Sequence, residues 1–178
     1  KKLIDLMSKF GATFLPRNKP RFPLNIISTE MPIGINYKSG VSAQLKSAVI
    51  LAALNSYGTT KIIELDKSRN HTENMLSKNK QVIKIKNNSN KCIEVMGKKY
   101  LNPINVTVPG DPSSAAFFTA LTILNKNSYL KIKNVGLNKT RTGFYELLKK
   151  RGAKIKFSKL IKKNNELRGD ILVRSSNI

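Results

Sequence analysis

The sequence predicts an α/β protein built from a repeated βαβαββ module. Three observations lead there. The chain is self-similar at an offset of about 70 residues, too long for a solenoid unit and suited to a small supersecondary module. Apolar helical stretches alternate with short segments in which apolar and polar residues alternate, the pattern of helices packed on a sheet. Hydrophobic residues make up 40% of the 178 positions, enough to form a core.

The chain opens on Leu3, Leu6, Met7 and Phe10, an i, i+3, i+4, i+7 stripe that predicts a helix closed by Gly11. Residues 6–12 are echoed by 147–153, so this is the second helix of a module that is entered midway. With no cap before it, the chain is expected to be an internal piece of a longer protein. The Pro-rich residues 15–23 are expected to connect the last strands of that module.

The first complete copy is expected to run from a short strand through a turn to an apolar helix over 43–55. A strand over 60–65, a second helix over 70–78 and strands over 82–86 and 92–96 follow. Asn87-Asn88-Ser89-Asn90 is a turn cluster between those last two strands. In the next copy the helix covers 113–125, the strand 129–135, the second helix 142–151 and the closing strands 154–160 and 170–174. Leu54-Asn55 and Thr60-Lys61-Ile62 align with Leu124-Asn125 and Leu130-Lys131-Ile132. Residues 98–108 contain Pro103 and lead into Pro109, which places the domain boundary there, with units 1–107 and 108–178.

Thirty-three Lys and Arg against ten Asp and Glu give a formal charge of +23, which favours anionic partners. Nucleic acid and phosphorylated metabolites are the two candidates. The excess is spread along the chain and comes with many Asn and Ile, the residues that A/T-rich codons encode beside Lys. Most of it therefore reads as solvated surface. A nucleic-acid-binding module is suggested by charge alone, and no aromatic stacking platform accompanies it. Cys92, the one cysteine, excludes an intrachain disulfide framework and fits a reducing compartment. No apolar run approaches the roughly 20 residues of a spanning helix.

The two long helices start differently. Ser42-Ala43-Gln44-Leu45-Lys46-Ser47 begins with a neutral N-cap. Its uncompensated dipole and unpaired N–H groups can receive a phosphate or carboxylate, and Gln44 offers a donor and an acceptor beside them. A plain cap is the alternative. Gly110-Asp111-Pro112-Ser113-Ser114 instead carries its own carboxylate, so Asp111 reads as a structural cap that would repel an anion. Arg69, just ahead of the next helix, can fork onto a phosphate or remain a solvated arginine, and Arg141 has the same two readings. His71, the only histidine, has no neighbouring carboxylate cluster and makes no metal site. It reads as a loop-packing or hydrogen-bonding residue.

Together these stretches resemble the 5-enolpyruvylshikimate-3-phosphate synthase family (3-phosphoshikimate 1-carboxyvinyltransferases). The motifs are Ser42-Ala43-Gln44-Leu45-Lys46-Ser47-Ala48, Ser68-Arg69-Asn70-His71-Thr72-Glu73, 108–117 around Gly110-Asp111-Pro112, and Asn138-Lys139-Thr140-Arg141-Thr142-Gly143. They stand in the family's order and spacing. The resemblance implies the enolpyruvyl transferase fold, two lobes of three βαβαββ modules each, with this chain supplying parts of both. It implies carboxyvinyl transfer from phosphoenolpyruvate to the 5-hydroxyl of shikimate 3-phosphate in aromatic amino acid biosynthesis. Phosphate is lost by addition and elimination, with no metal or organic cofactor. By position it implies that Ser42 and Ala43 bind the shikimate phosphate, that Arg69 contacts the same phosphate or its neighbourhood, and that Gln44 lies against the ring near the phosphoenolpyruvate. It further implies a cytoplasmic, monomeric enzyme that engages neither nucleic acid nor membrane. The related class acting on UDP-N-acetylglucosamine shares the architecture but lacks the Ser-Ala-Gln-x-Lys-Ser signature.

The chain departs from the family pattern at Asn70 (usually Asp), Leu45 (Val), Lys139 (Pro) and Ser77-Lys78-Asn79 (after Met75-Leu76, usually Gly-Ala). The family's Gly-Asp-Lys-Ser, Arg-Pro-Met, Asp-Glu-Tyr-Pro and Lys-Glu-Ser stretches have no counterpart in these residues. The resemblance places the proton-transfer groups and most phosphoenolpyruvate arginines there. No catalytic residue is therefore expected in this chain, and no turnover by it alone.

Overall fold

Patterning of period two and period 3.6 resolves into helices laid on sheets, in two units, Lys1–Pro103 and Ile104–Ile178. The structure, a computed structural model, describes residues 1–16, 21–87 and 90–178. Part of the Pro-rich stretch and Asn88-Ser89 of the turn cluster lie outside the described residues.

In the first unit α1 (Lys2–Lys9) precedes an antiparallel pair, β1 (Thr13–Leu15) and β2 (Asn25–Ile27). Gly11, at φ +99°, turns the chain out of the helix in a conformation that L side chains rarely adopt. One complete βαβαββ module follows: β3 (Asn36–Ser39), α2 (Ala43–Leu54), β4 (Thr59–Glu64), α3 (His71–Leu76), β5 (Ile83–Asn87) and β6 (Lys91–Met96). The sheet order is β3-β4-β6-β5. β3 runs parallel to β4, as a helical crossover requires, and the other pairs are antiparallel. The helix expected over 70–78 stops at Leu76, where the Ser77 hydroxyl donates back to the Asn74 carbonyl at 2.7 Å.

The second unit contains α4 (Pro112–Leu124), β7 (Tyr129–Gly136), α5 (Gly143–Lys150), β8 (Ile155–Lys163) and β9 (Glu166–Arg174). Its sheet is antiparallel, in the order β7-β9-β8. The strand expected ahead of α4 is reduced to a parallel bridge between Gly110 and Val135. The preceding segment holds Pro103 and Pro109, which have no N–H to give a ladder. The last two strands are longer than expected. Asn164 and Asn165, at φ 50° and 60°, form a two-residue hairpin that lets pairing run up to the turn. Among the described residues no helix is long and apolar enough to cross a membrane.

The core of the first unit forms where Val49, Ile50 and Ala53 of α2 meet Ile62, Ile83, Ile93 and Val95 of the sheet. Leu76 of α3 and Leu6 and Phe10 at the chain start close it. In the second unit Ala115 and Ile123 of α4 and Tyr145 of α5 cover Val135, Ile155, Ile171 and Val173.

Four charged residues stand on the same core-facing positions as these apolar ones. Lys46 belongs to the α2 stripe with Val49, Ile50 and Ala53, and is fully buried. Glu64 shares its strand face with Ile62, and Lys91 shares its face with Ile93 and Val95. Glu73 is the buried acid of α3. Lys46 Nζ lies 2.6 Å from Glu64 Oε1 and 2.7 Å from Glu73 Oε1. Lys91 Nζ lies 3.0 Å from Glu64 Oε2 and 3.1 Å from Glu73 Oε1. Two cations and two anions leave the cluster neutral, the condition under which charges can be buried at all. Burial pushes the Glu64 carboxyl up, but the bonds from Lys46, Lys91 and Ser68 more than reverse this and hold it at about 2. Desolvation likewise lowers Lys91, and Glu73 and Glu64 return it above its ordinary 10.5.

Because the folded carboxyl of Glu64 sits below its ordinary 4.5, its stabilisation is fully present above that value and drains away as pH falls toward about 2. Circular-dichroism melts across that window should show a steeper acid loss for the native chain than for Glu64→Gln. At Gly97, where the end of β6 passes the end of α2, an added Cβ would run into the carbonyl oxygens of Ser56 and Ala53. Gly97→Ala should therefore destabilise the first unit by about 1–3 kcal/mol in urea titrations.

Candidate functional site

Ser42 has an extended backbone, φ −80° and ψ 99°, and its Oγ accepts the Leu45 N–H at 3.4 Å. The first intrahelical bond of α2 runs from the Lys46 N–H to the Ser42 carbonyl, at 3.1 Å. The N–H groups of Ala43 and Gln44 come before it and have no acceptor within the helix. The first turn holds no acidic residue, so the positive end of the dipole is uncompensated. The Ser42 hydroxyl keeps its own proton to donate.

An open cleft of about 440 Å³ lies against this helix start. Ala43, Gln44, Ser47 and Leu51 of α2 line it on one side, and Arg69 and His71 on the other. The structure thus brings three of the four expected residues, Ala43, Gln44 and Arg69, to one surface. Ser42 caps the helix one residue before the lining. Arg69 is exposed, and no hydrogen bond or ion pair engages it among the described residues. His71, read from the sequence as a loop-packing or hydrogen-bonding residue at the start of the helix expected over 70–78, opens α3 and lines the same cleft. Asn70, at the N-cap position, makes no capping bond with its side chain. The Ser47 and Thr72 hydroxyls meet at 2.7 Å and tie α2 to α3 at the cleft.

The second unit supplies an internal comparison. At the start of α4, Asp111 Oδ2 accepts the Ser114 N–H at 3.0 Å and its hydroxyl at 3.1 Å. Arg141, placed ahead of the second helix as Arg69 is, donates to Asp111 Oδ1 at 2.6 Å and to Ser113 Oγ at 2.8 Å. The bond from the Ser114 N–H, with Arg141 adding to it, holds the Asp111 carboxyl below its usual range. The cap and the arginine satisfy each other. In the first unit Ser42 stands at the cap, so both the helix start and Arg69 lack an anion.

Sequence reading missed the charges that support this cleft. Lys46, Glu64, Glu73 and Lys91 lie behind it and do not line it. The signal was present in the patterning, since each occupies an apolar position of its own element. Only the pairing of Glu64 with Lys91 across the sheet, and the approach of Lys46 and Glu73 to them, gives those anomalies a reason.

Comparison with known proteins agrees with this architecture. The family model for EPSP synthase (3-phosphoshikimate 1-carboxyvinyltransferase) matches residues 1–172. The 3-phosphoshikimate 1-carboxyvinyltransferases of Petrotoga mobilis and Bacillus subtilis are 44% and 39% identical, over all of this chain and 41% of their own lengths. The EPSP synthase structure from Acinetobacter baumannii superposes with a TM-score of 0.79 at 32% identity, covering 98% of this chain and 39% of that one. The enolpyruvyl transferase NikO from Streptomyces tendae, 14% identical, shares the fold with a TM-score of 0.70. The chain therefore spans about two fifths of the length of the relatives it matches. With nearly every residue inside the family match, and the repeated βαβαββ module beneath it, the chain belongs to the EPSP synthase (3-phosphoshikimate 1-carboxyvinyltransferase) family.

Proposed function

We propose that the protein containing this chain transfers the carboxyvinyl group of phosphoenolpyruvate to the 5-hydroxyl of shikimate 3-phosphate. On this reading the 178 residues supply the acceptor-phosphate side of the site. The Arg69 guanidinium, the Ala43 and Gln44 N–H groups and the Ser42 hydroxyl hold the 3-phosphate, and Gln44 lies against the ring. The observation that carries the proposal is the contrast between the two units. Where the second unit closes its arginine onto Asp111, the first leaves Arg69 and an uncompensated helix start facing one cleft. A phosphate brings the charge that Asp111 brings to the other copy.

Both substrates are anions, and a chain of formal charge +23 draws them in. The units on either side of the linker belong to the two lobes of the enzyme in this proposal. Proton transfer and most of the phosphoenolpyruvate contacts come from polypeptide other than these residues, so this chain alone does not turn over. The proposal also has the enzyme working as a cytoplasmic monomer, in keeping with a lone free cysteine, Cys92.

Ser42→Asp tests the reading by giving the first unit the capping chemistry of the second. The added carboxylate should cap α2 at least as well and pair with Arg69, so thermal stability is retained. Calorimetry on the complete protein should show shikimate 3-phosphate affinity reduced by about a hundredfold, while shikimate, which has no phosphate, binds as before. Undiminished shikimate 3-phosphate binding in this variant would rule the site out.

A further inference from the structure

We infer that Glu64 is a positioning residue, whose carboxylate fixes the Arg69 arm against the start of α2. This rests on the reading of the cleft as the acceptor-phosphate site. Glu64 lines no part of that cleft, and its side chain is 5% exposed. Its Oε1 is nevertheless the meeting point of both cleft walls. It takes Lys46 of α2 at 2.6 Å, and it accepts the Ser68 N–H at 3.1 Å and the Ser68 hydroxyl at 3.0 Å. Lys46 lies one helical turn beyond Ala43, whose N–H opens the helix. Ser68 is the residue before Arg69. One carboxylate at the end of β4 therefore sets the separation between the amide donors and the guanidinium.

The surrounding charges keep that carboxylate in place. Lys91 holds Glu64 Oε2 from the neighbouring strand, and Lys46 also holds Glu73 at the foot of α3. An exposed arginine loses side-chain entropy when it grips a ligand. Fixing its backbone beforehand removes part of the ordering that binding would otherwise require. A cluster serving stability alone has no need to reach the Ser68 backbone and hydroxyl with the same oxygen that takes Lys46.

The test uses the complete polypeptide, with calorimetric affinities for shikimate 3-phosphate and shikimate beside thermal melts. The variants are Glu64→Gln, Ser68→Ala, Arg69→Ala and the doubles with Arg69→Ala. Glu64→Gln should weaken shikimate 3-phosphate binding by about tenfold, and Ser68→Ala should do so by less. Ser68→Ala leaves all four charges of the cluster intact, so it decides the matter if Glu64→Gln fails to fold. Neither should change shikimate binding, and both effects should vanish once Arg69 is gone, because a residue acting through Arg69 has nothing left to position. Equal losses with and without Arg69, or equal losses for both ligands, would overturn the inference and leave the cluster a purely structural role. If Arg69→Ala itself leaves shikimate 3-phosphate binding intact, the phosphate-site reading falls. If only Arg69→Ala has an effect, the positioning role falls alone.

Discussion

Glu64 lies on the face of its strand that packs into the core, and a carboxylate there has to be matched by charge. Lys46, Lys91 and Glu73 answer it from a helix, the neighbouring strand and a second helix. Every element that shapes the cleft reaches this cluster, so the site inherits its geometry. Hydrophobic contacts such as Ile50 on Ile62 and Ile93 bring helix and sheet together but tolerate small slips. Ion pairs of 2.6 to 3.1 Å do not, because a displaced partner leaves a buried charge unpaired. The apolar core brings the elements together, and the charged cluster specifies register at the cleft end of the module.

The two units show how one architecture can close or open the same corner. Both place a helix start beside an arginine that precedes the next helix. Asp111 turns that arrangement inward, and Arg141 becomes a strut across the top of α4. Ser42 turns it outward, leaving donors with no internal acceptor. A single difference in the chemistry of the cap, neutral hydroxyl against carboxylate, separates a corner closed on itself from one left open to a cleft. Fold alone does not distinguish them, since both corners sit at the same place in the module.

Much of this was legible in the linear chain. The repeat gave the module, and strand alternation in 83–85 and 171–173 gave the sheet. Asp111-Pro112 marked the start of α4, and Ser42 marked that of α2. The identity of the family was readable because its motifs are short, contiguous stretches. Less legible were features that depend on how segments end against each other. The strand before α4 shrinks to a bridge, and the final hairpin is lengthened by the positive-φ pair Asn164-Asn165. That His71 at the start of α3 lines the cleft with α2 depends on how the two helices lie together, which its own segment does not reveal.

The sequence alone thus determined the module, the caps and the motif residues, since caps and periodicities are local, set by neighbours within a turn or a strand. Tertiary structure alone decided which charges meet. Lys46, Glu64, Glu73 and Lys91 come from four different elements, α2, β4, α3 and β6, and look like misplaced polar residues in their own segments. Their energy comes from mutual compensation in a cluster largely withdrawn from water, a property of the folded assembly that no window of the sequence contains.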